Sequence, residues 1–428
     1  MKRLDVLIEM NGVQQYTGSI DVNDFGEGRF SYDSAYLQKE GAAAVSCNLP
    51  LREESFSETE TRIFFEGLLP EGFTRRSVAG WIHTDADDYL GILAGLGSEC
   101  LGAVKICEEG VDDHVDPHYE PMTMEQIRAL AREGASKSAE LVTKAHLSLA
   151  GASGKVGLYL DEKDGRWFLP HGDAPSTHIV KQSHVRLGGI VTNEQLTMKT
   201  AGLCGLTVPD SFIINVGESR DEDILLATER FDRLFTGSGM ILQGLEVPKR
   251  LHQEDFAQAL GIPPVLKYET EDRNYLGRMF SLLRKVSSDP IRDQMALWDI
   301  LMFDFLTGNT DNHLKNVSIL YDPGLKGIRL APAYDIVSTC VYDASTRDLA
   351  IRLGSGTSLD DTGRSSLSEA ADRAGIGKTV AMRRLDAIAG QFEKSLKESS
   401  RMLAEQGFPG TEDFAEKILS RGGYRRLV

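Results

Sequence analysis

An apolar run, MALWDILMFDFL at residues 295–306, stops against TGNTDNHLKN at 307–316. Asp289 and Pro290 offer an N-cap and a first-turn proline, and Ile291, Met295, Trp298, Met302 and Phe305 recur at helical spacing. A core helix is therefore expected to end where Asp311, His313, Lys315 and Asn316 crowd into six positions. A surface turn does not require such a density of polar groups at the end of a buried helix. A site that handles a metal and a phosphate does.

Phosphoryl transfer needs an anion cradle, a cation on the phosphates, magnesium with oxygen ligands, and a base beside the attacking hydroxyl. The chain offers a candidate for each, in the order a kinase uses them. LSLAGASGK at 147–155 has Gly151 and Gly154 with small residues between, so backbone N–H groups from Ala152, Ser153, Gly154 and Lys155 could approach phosphate oxygens. It lacks Walker A spacing, and a tight β-turn accounts for the same residues.

Lys181, in the strand-like THIVKQS, follows about 25 to 30 residues later, which is where a kinase strand lysine falls. An edge lysine facing solvent is the alternative. Glu194 could pair with it, or serve as an ordinary first-turn helix acid. ATERFDR at 227–233 could present backbone groups of Glu229 and Arg230 to an adenine edge, with Phe231 beside the ring. Strand ends are often polar in any case.

Asp311 and Asn316 have the spacing D-x-x-x-x-N, a base and a magnesium ligand in kinases. Asp335 in LAPAYDIVS ends an apolar run where a second metal ligand should fall, and an Asn carbonyl with an Asp carboxylate suits magnesium. A polar helix cap at 309–313 with an unrelated aspartate is the competing reading.

Composition narrows the class. Asp and Glu number 64 against 47 Lys and Arg, a formal charge of −17. Such a surface repels nucleic acid and anionic membranes, so DNA contact would come through a partner. The five cysteines contain no Cys-x-x-Cys pair, which argues against zinc or a disulfide framework. MKRLDVLIEMNG reads as a strand, not a signal peptide, and no apolar run approaches the roughly 20 residues that span a bilayer. A cytoplasmic protein is expected.

The expected fold is α+β and two-lobed, protein-kinase-like. Residues 1–110 form an α+β subdomain opening on a hairpin at Asn11-Gly12. Residues 120–253 form a β-rich N-lobe containing a helix capped by Asn193. Residues 254–428 form an all-helical C-lobe with the catalytic loop.

LSLAGASGK, THIVK, NE, ERFDR, LHQEDFAQALGIPPVLKYE, TDNHLKN and YDIVS together resemble the HipA family of bacterial serine/threonine kinase toxins. YTGSIDVNDFGEGRFSYDSAYL, SCNLPLRE and FFEGLLPEG resemble the domain that precedes the kinase core in that family. The most specific piece is QEDFAQALGIPPVLKYE, which no general nucleotide-binding logic predicts.

The resemblance implies ATP with magnesium, Asp311 as catalytic base, Asn316 and Asp335 as metal ligands and Lys181 on the phosphates. It places His313 near the nucleotide and Glu229 to Phe231 at the adenine. It also implies autophosphorylation at Ser148, with Ser153 the alternative, that switches the kinase off. The implied protein substrate is a translation component such as glutamyl-tRNA synthetase, and the consequence is growth arrest. The implied partner is a small helix-turn-helix antitoxin of the HipB kind, through which DNA is contacted.

Two other classes are weighed. D-x-H-x-x-N also resembles a phosphatidylinositol-kinase loop, but the acidic surface argues against lipid substrates. A kinase-shaped co-repressor would have no physical reason to keep Lys181, Asp311, Asn316 and Asp335 together.

Overall fold

The computed structural model describes residues 2–97, 99–110, 115–144, 154–183, 187–237, 239–408 and 410–427. The chain forms two compact units that are not consecutive segments. One comprises residues 1–182, 222–264 and 320–327; the other comprises 183–221, 265–319 and 328–428.

The first unit holds two large antiparallel sheets besides short two-stranded ones. Strands β1 (Lys2–Met10), β2 (Val13–Val22), β3 (Gly28–Tyr32) and β4 (Val104–Glu108) run in the order β3-β2-β1-β4. Asn11 and Gly12 both take positive φ, 54° and 84°, as the expected two-residue hairpin requires. Leu4, Val6 and Ile8 alternate inward from β1.

Helix α1 (Glu58–Gly67) begins with a capping box: Ser57 accepts from the Glu60 amide and the Glu60 carboxylate accepts from the Ser57 amide. Phe65 from α1 meets Phe30, which stacks on Phe56. Helices α2 (Gly72–Trp81) and α3 (Tyr89–Leu96) complete this part.

The second sheet of this unit carries the nucleotide-side candidates. Its strands β5 (His118–Pro121), β6 (Lys155–Asp161), β7 (Arg166–His171), β8 (His178–Gln182) and β9 (Ile224–Glu229) lie in the order β5-β7-β6-β8-β9. Helices α4 (Met124–Glu133) and α5 (Ala135–Lys144) precede β6. The sequence reading assigned neither, although Thr123 and Gln126 form a capping box at the start of α4.

The second unit is mostly helical. Helix α6 (Ile190–Leu203) opens it, but its N-cap is Gly189 at φ 69°, not Asn193. Asn193 is buried inside the helix because its side chain has a tertiary task, described below. Helices α7 (Tyr275–Val286), α8 (Pro290–Thr307), α9 (Arg364–Ala374), α10 (Lys378–Glu405) and α11 (Thr411–Arg421) follow. The long α10 packs against α6, α8, α9 and α11. Trp298 of α8 is fully buried and donates from its indole N–H to the Ala381 carbonyl at 3.0 Å.

An all-helical second lobe does not describe this unit. Short strands at Ile328–Leu330, Asp348–Leu353 and Gly356–Ser358, all within the stretch expected to be helical, belong to it. Strands of three to six residues carry too little periodicity to stand out in a sequence. No helix among the described residues is long and apolar enough to cross a membrane.

Candidate active site

Helix α8 starts and stops as its sequence requires. Asp289 accepts from the Arg292 amide, Pro290 occupies the first turn, and Gly308 ends the helix at φ 72°. Ile291 departs from the expected apolar stripe and is 77% exposed. Any Cβ at position 308 would strike Cys340 and Gly422, so only glycine lets the chain leave the helix here.

The polar residues after α8 are held by an aspartate within the helix. Asp304 is 4% exposed. It accepts from Asn309 Nδ2 at 2.8 Å and from Asn312 Nδ2. Asn309 Oδ1 in turn accepts the Asp311 amide at 3.1 Å, and the Asn309 amide donates to the Asp304 carbonyl at 2.8 Å. The Thr310 amide donates to Thr339 Oγ1 at 2.7 Å. Asp304, Asn309 and Asn312 thus form one buried hydrogen-bonded group, and Asp311 is left on the exposed side of the loop. Burial pushes the Asp304 carboxyl up to about 7, against the lowering effect of Asn309.

Asn316 donates from Nδ2 to the Asp311 carbonyl at 2.9 Å. This fixes the amide so that its other end, Oδ1, is the atom presented as an acceptor. Tyr334 links the next candidate to the loop: its hydroxyl donates to the Lys315 carbonyl at 3.0 Å and shares a 2.6 Å hydrogen bond with Ser318. The following residue, Asp335, sits in left-handed backbone at φ 57°. Asp tolerates that region better than most residues, yet such conformations concentrate at functional sites.

Asn193 braces the same segment. It donates to the Ser338 carbonyl at 2.9 Å and to the Tyr342 hydroxyl at 3.2 Å, while Thr197 donates to the Ile336 carbonyl.

Among the described residues no three His, Cys, Asp or Glu side chains cluster to hold a metal. Magnesium does not need such a cage, because it is usually held by one or two protein oxygens together with phosphates and water. Asn316 and Asp335 suit that chemistry.

The other candidates lie in the first unit. Lys155, at the start of β6, is the direct cross-strand partner of Lys181 on β8. Like charges directly opposite one another are destabilising in a sheet.

Gly154 is buried where a Cβ would stand 2.8 Å from the Ala135 Cα and collide with the Gln182 side chain, so the close approach demands glycine. Gln182 is itself held by Ser138 at 2.8 Å. Ser148, Ala152 and Ser153 lie outside the described residues.

Glu229 ends β9 opposite His178. The next residue, Arg230, turns its side chain inward. Its guanidinium donates to Asp232 at 2.8 and 2.9 Å, to Glu99 at 3.2 Å and to Ser176 at 2.9 Å, and Arg233 joins from the other side at 2.9 Å from Glu99. Burial alone would raise the Asp232 carboxyl, but Arg230 and Arg233 hold it below the usual carboxylate range. The Arg230 side chain is therefore a structural ion-pair member, and its backbone is engaged as well: the N–H donates to the Thr177 carbonyl at 2.9 Å and the carbonyl accepts the Arg233 N–H at 3.2 Å. Glu194 is buried on α6 in the second unit.

Sequence reasoning missed Asp304 and Asn309, and it gave Asn193 the role of a helix cap instead of a brace. The signal for Asp304 was an acid inside the apolar LMFDFL. A buried carboxylate is expensive unless donors converge on it.

Comparisons with known proteins give the family and the fold. Residues 147–396, more than half the chain, match the family model described as HipA-like C-terminal domain, and residues 8–107 match that of the HipA N-terminal domain. A Sinorhizobium fredii protein named "Putative kinase Y4mE" is 32% identical over 96% of this chain and 96% of its own length. The serine/threonine-protein kinase toxin HipA of Shewanella oneidensis is 25% identical over 84% of this chain and 81% of its own. Shewanella oneidensis HipA has been solved with HipB and operator DNA, and that structure matches with a TM-score of 0.79 over 98% of this chain and 97% of the other, at 22% identity. The fold is thus the α+β, kinase-like fold of HipA, and the chain belongs to the HipA family, with both its N-terminal and C-terminal domains.

Proposed function

We propose that this protein is an ATP- and magnesium-dependent serine/threonine protein kinase of the HipA toxin type. The observation that carries the reading is the loop after α8. Asp311 is exposed while its backbone is held on both sides, by Asn309 and by Asn316. That is the arrangement of a base that must meet a substrate hydroxyl without moving. Asn316 Oδ1 and Asp335 are the magnesium ligands, and His313 lies at the nucleotide.

Lys155 and Lys181 supply the cations for the phosphates, next to the backbone of Ala152, Ser153 and Gly154. The segment from Glu229 to Phe231 meets the adenine. Ser148 is the autophosphorylation site that switches activity off. The substrate is a translation component such as an aminoacyl-tRNA synthetase, acted on in the cytoplasm. A small helix-turn-helix antitoxin neutralises the kinase and carries it to DNA; the solved relative's assembly with HipB and operator DNA supports this partner class.

The test is phosphate transfer from γ-labelled ATP with magnesium by wild type, Asp311→Ala and Asp335→Ala. Transfer by wild type alone supports the reading. Equal transfer by Asp311→Ala refutes it.

A further inference from the structure

The segment LKYE, residues 266–269, carries the sequence signature that nucleotide chemistry does not explain, and the structure gives it a place. Tyr268 donates its phenol O–H to Asp311 Oδ1 at 2.6 Å. Its ring meets the His313 ring edge-on, with centroids 5.0 Å apart. Lys267 Nζ lies 5.5 Å from the Tyr268 ring centroid, and the Lys267 carbonyl accepts the Leu314 amide at 3.4 Å. Residues from one short segment thus touch the loop at Asp311, His313 and Leu314.

We infer that Tyr268 is a positioning residue for phosphoryl transfer: it holds one carboxylate oxygen of Asp311 so that the other faces the phosphoacceptor hydroxyl. This rests on the kinase reading of Asp311 given above. A carboxylate on a surface loop can rotate about its terminal torsion, which is broad and roughly two-fold. A charge-assisted phenol hydrogen bond to one oxygen removes that freedom and leaves a defined lone pair for the incoming hydroxyl.

A tyrosine at this distance could instead occupy the seat of the acceptor hydroxyl and block it. The anchoring of the segment argues against that. Glu269, 5% exposed, accepts from the Arg273 and Tyr275 amides at 3.1 and 2.9 Å through one oxygen, and from the Arg352 amide at 2.9 Å through the other. The Glu269 amide donates to the Ala350 carbonyl at 2.8 Å, and Tyr275 Oη donates to the Leu266 carbonyl at 2.7 Å. Tyr268 is pinned on both sides to α7 and to the strand at Asp348–Leu353. A plug has to leave for each turnover, whereas a residue fastened in this way stays. The order in LKYE then has a physical sense: the buried Glu269 is the anchor and the Tyr268 hydroxyl is what it holds in place.

The test compares wild type, Tyr268→Phe and Asp311→Ala of the full chain in magnesium-dependent transfer from γ-labelled ATP to casein and to the chain itself. Fluorescent-nucleotide binding and thermal melting are measured alongside. Phenylalanine keeps the ring on His313 and removes only the hydroxyl. The expected result is a kcat roughly 10- to 100-fold lower, as for a misplaced catalytic group, with KM for ATP, nucleotide affinity and melting temperature unchanged.

Tyr268→Phe with wild-type kcat, while Asp311→Ala is inactive, overturns the role of Tyr268 and leaves the kinase reading standing. A faster Tyr268→Phe enzyme also overturns it, because the tyrosine would then be an obstruction. Full activity of both variants overturns the assignment of Asp311 and this inference with it.

Discussion

Asp304 Oδ1 accepts a 2.8 Å hydrogen bond from Asn309 Nδ2, and the other end of the same amide accepts the Asp311 N–H at 3.1 Å. A carboxylate buried in helix α8 is therefore connected through one side chain to the backbone of the exposed aspartate. The loop's shape is set from inside the core, so replacing Asp304 acts on Asp311 without touching it.

The pH dependence of stability follows from the same carboxyl. Its folded-state value, raised by burial to about 7, lies above its ordinary value of 3.8. The native state thus holds the proton more tightly than the unfolded chain. The stabilising contribution is complete below the ordinary value and is lost as pH rises through about 7. Chemical denaturation of wild type and Asp304→Asn from pH 4 to 8.5 checks this. The stability of wild type relative to the variant should fall across that range and level off above it. A constant difference would show that Asp304 keeps an ordinary value.

Asp335→Ala should weaken ATP–magnesium binding more than Asp311→Ala does, because it removes a cation ligand and the other removes a base. Asp311→Ala should melt near wild type, since that side chain is exposed, whereas Asp335→Ala should melt somewhat lower, because alanine tolerates the left-handed backbone at φ 57° less well than aspartate. Isothermal titration with ATP in the presence and absence of magnesium separates the two. An Asp335→Ala chain that bound ATP–magnesium normally would remove Asp335 from the metal site.

Lys181→Ala should raise KM for ATP and lower kcat, since a lysine on the phosphates stabilises ground and transition states together. Its cross-strand position opposite Lys155 adds a second expectation. With nucleotide, ligand-induced stabilisation should shrink. Unchanged stabilisation by ATP in both single variants would exclude the pair from the phosphate site.

Arg230→Ala should destabilise the first unit by about 3–5 kcal/mol, the range found when one partner of a buried ion pair is removed. Glu99 and Asp232 would be left charged and fully buried. Urea denaturation measures it. A loss under 1 kcal/mol would show that water or rearrangement replaces the guanidinium.

Phosphate added at Ser148 should reduce ATP affinity, because about −1.5 to −2 charges beside the loop compete for its N–H groups and repel the nucleotide. Peptide mapping after incubation with ATP locates the modification. Phosphate on Ser153 with Ser148 unmodified would move the site.

Much of the plan was legible because its signals are local. Asn11-Gly12 forces a hairpin, Asp289-Pro290 starts α8, and D-x-x-x-x-N puts Asp311 and Asn316 on one loop. The less legible parts depend on partners far away in sequence. Asn193 looks like a helix cap until Ser338 and Tyr342, well over a hundred positions on, claim its amide. Arg230 looks like a strand-end polar residue until Glu99 is found beside it. The strands at Ile328–Leu330 and Gly356–Ser358 are three residues each, too short to show a period. Tyr268 sat in the most specific stretch, but its role needs the 2.6 Å contact with Asp311 to be seen.

The central claim is that Asp311 is the base for phosphate transfer to a protein serine or threonine. Phosphoproteomics after brief expression of wild type and Asp311→Ala in matched cells tests it most directly. The expected result is a small set of serine or threonine sites, on a translation component and on the chain itself, present with wild type and absent with the variant. Indistinguishable phosphoproteomes would contradict the claim.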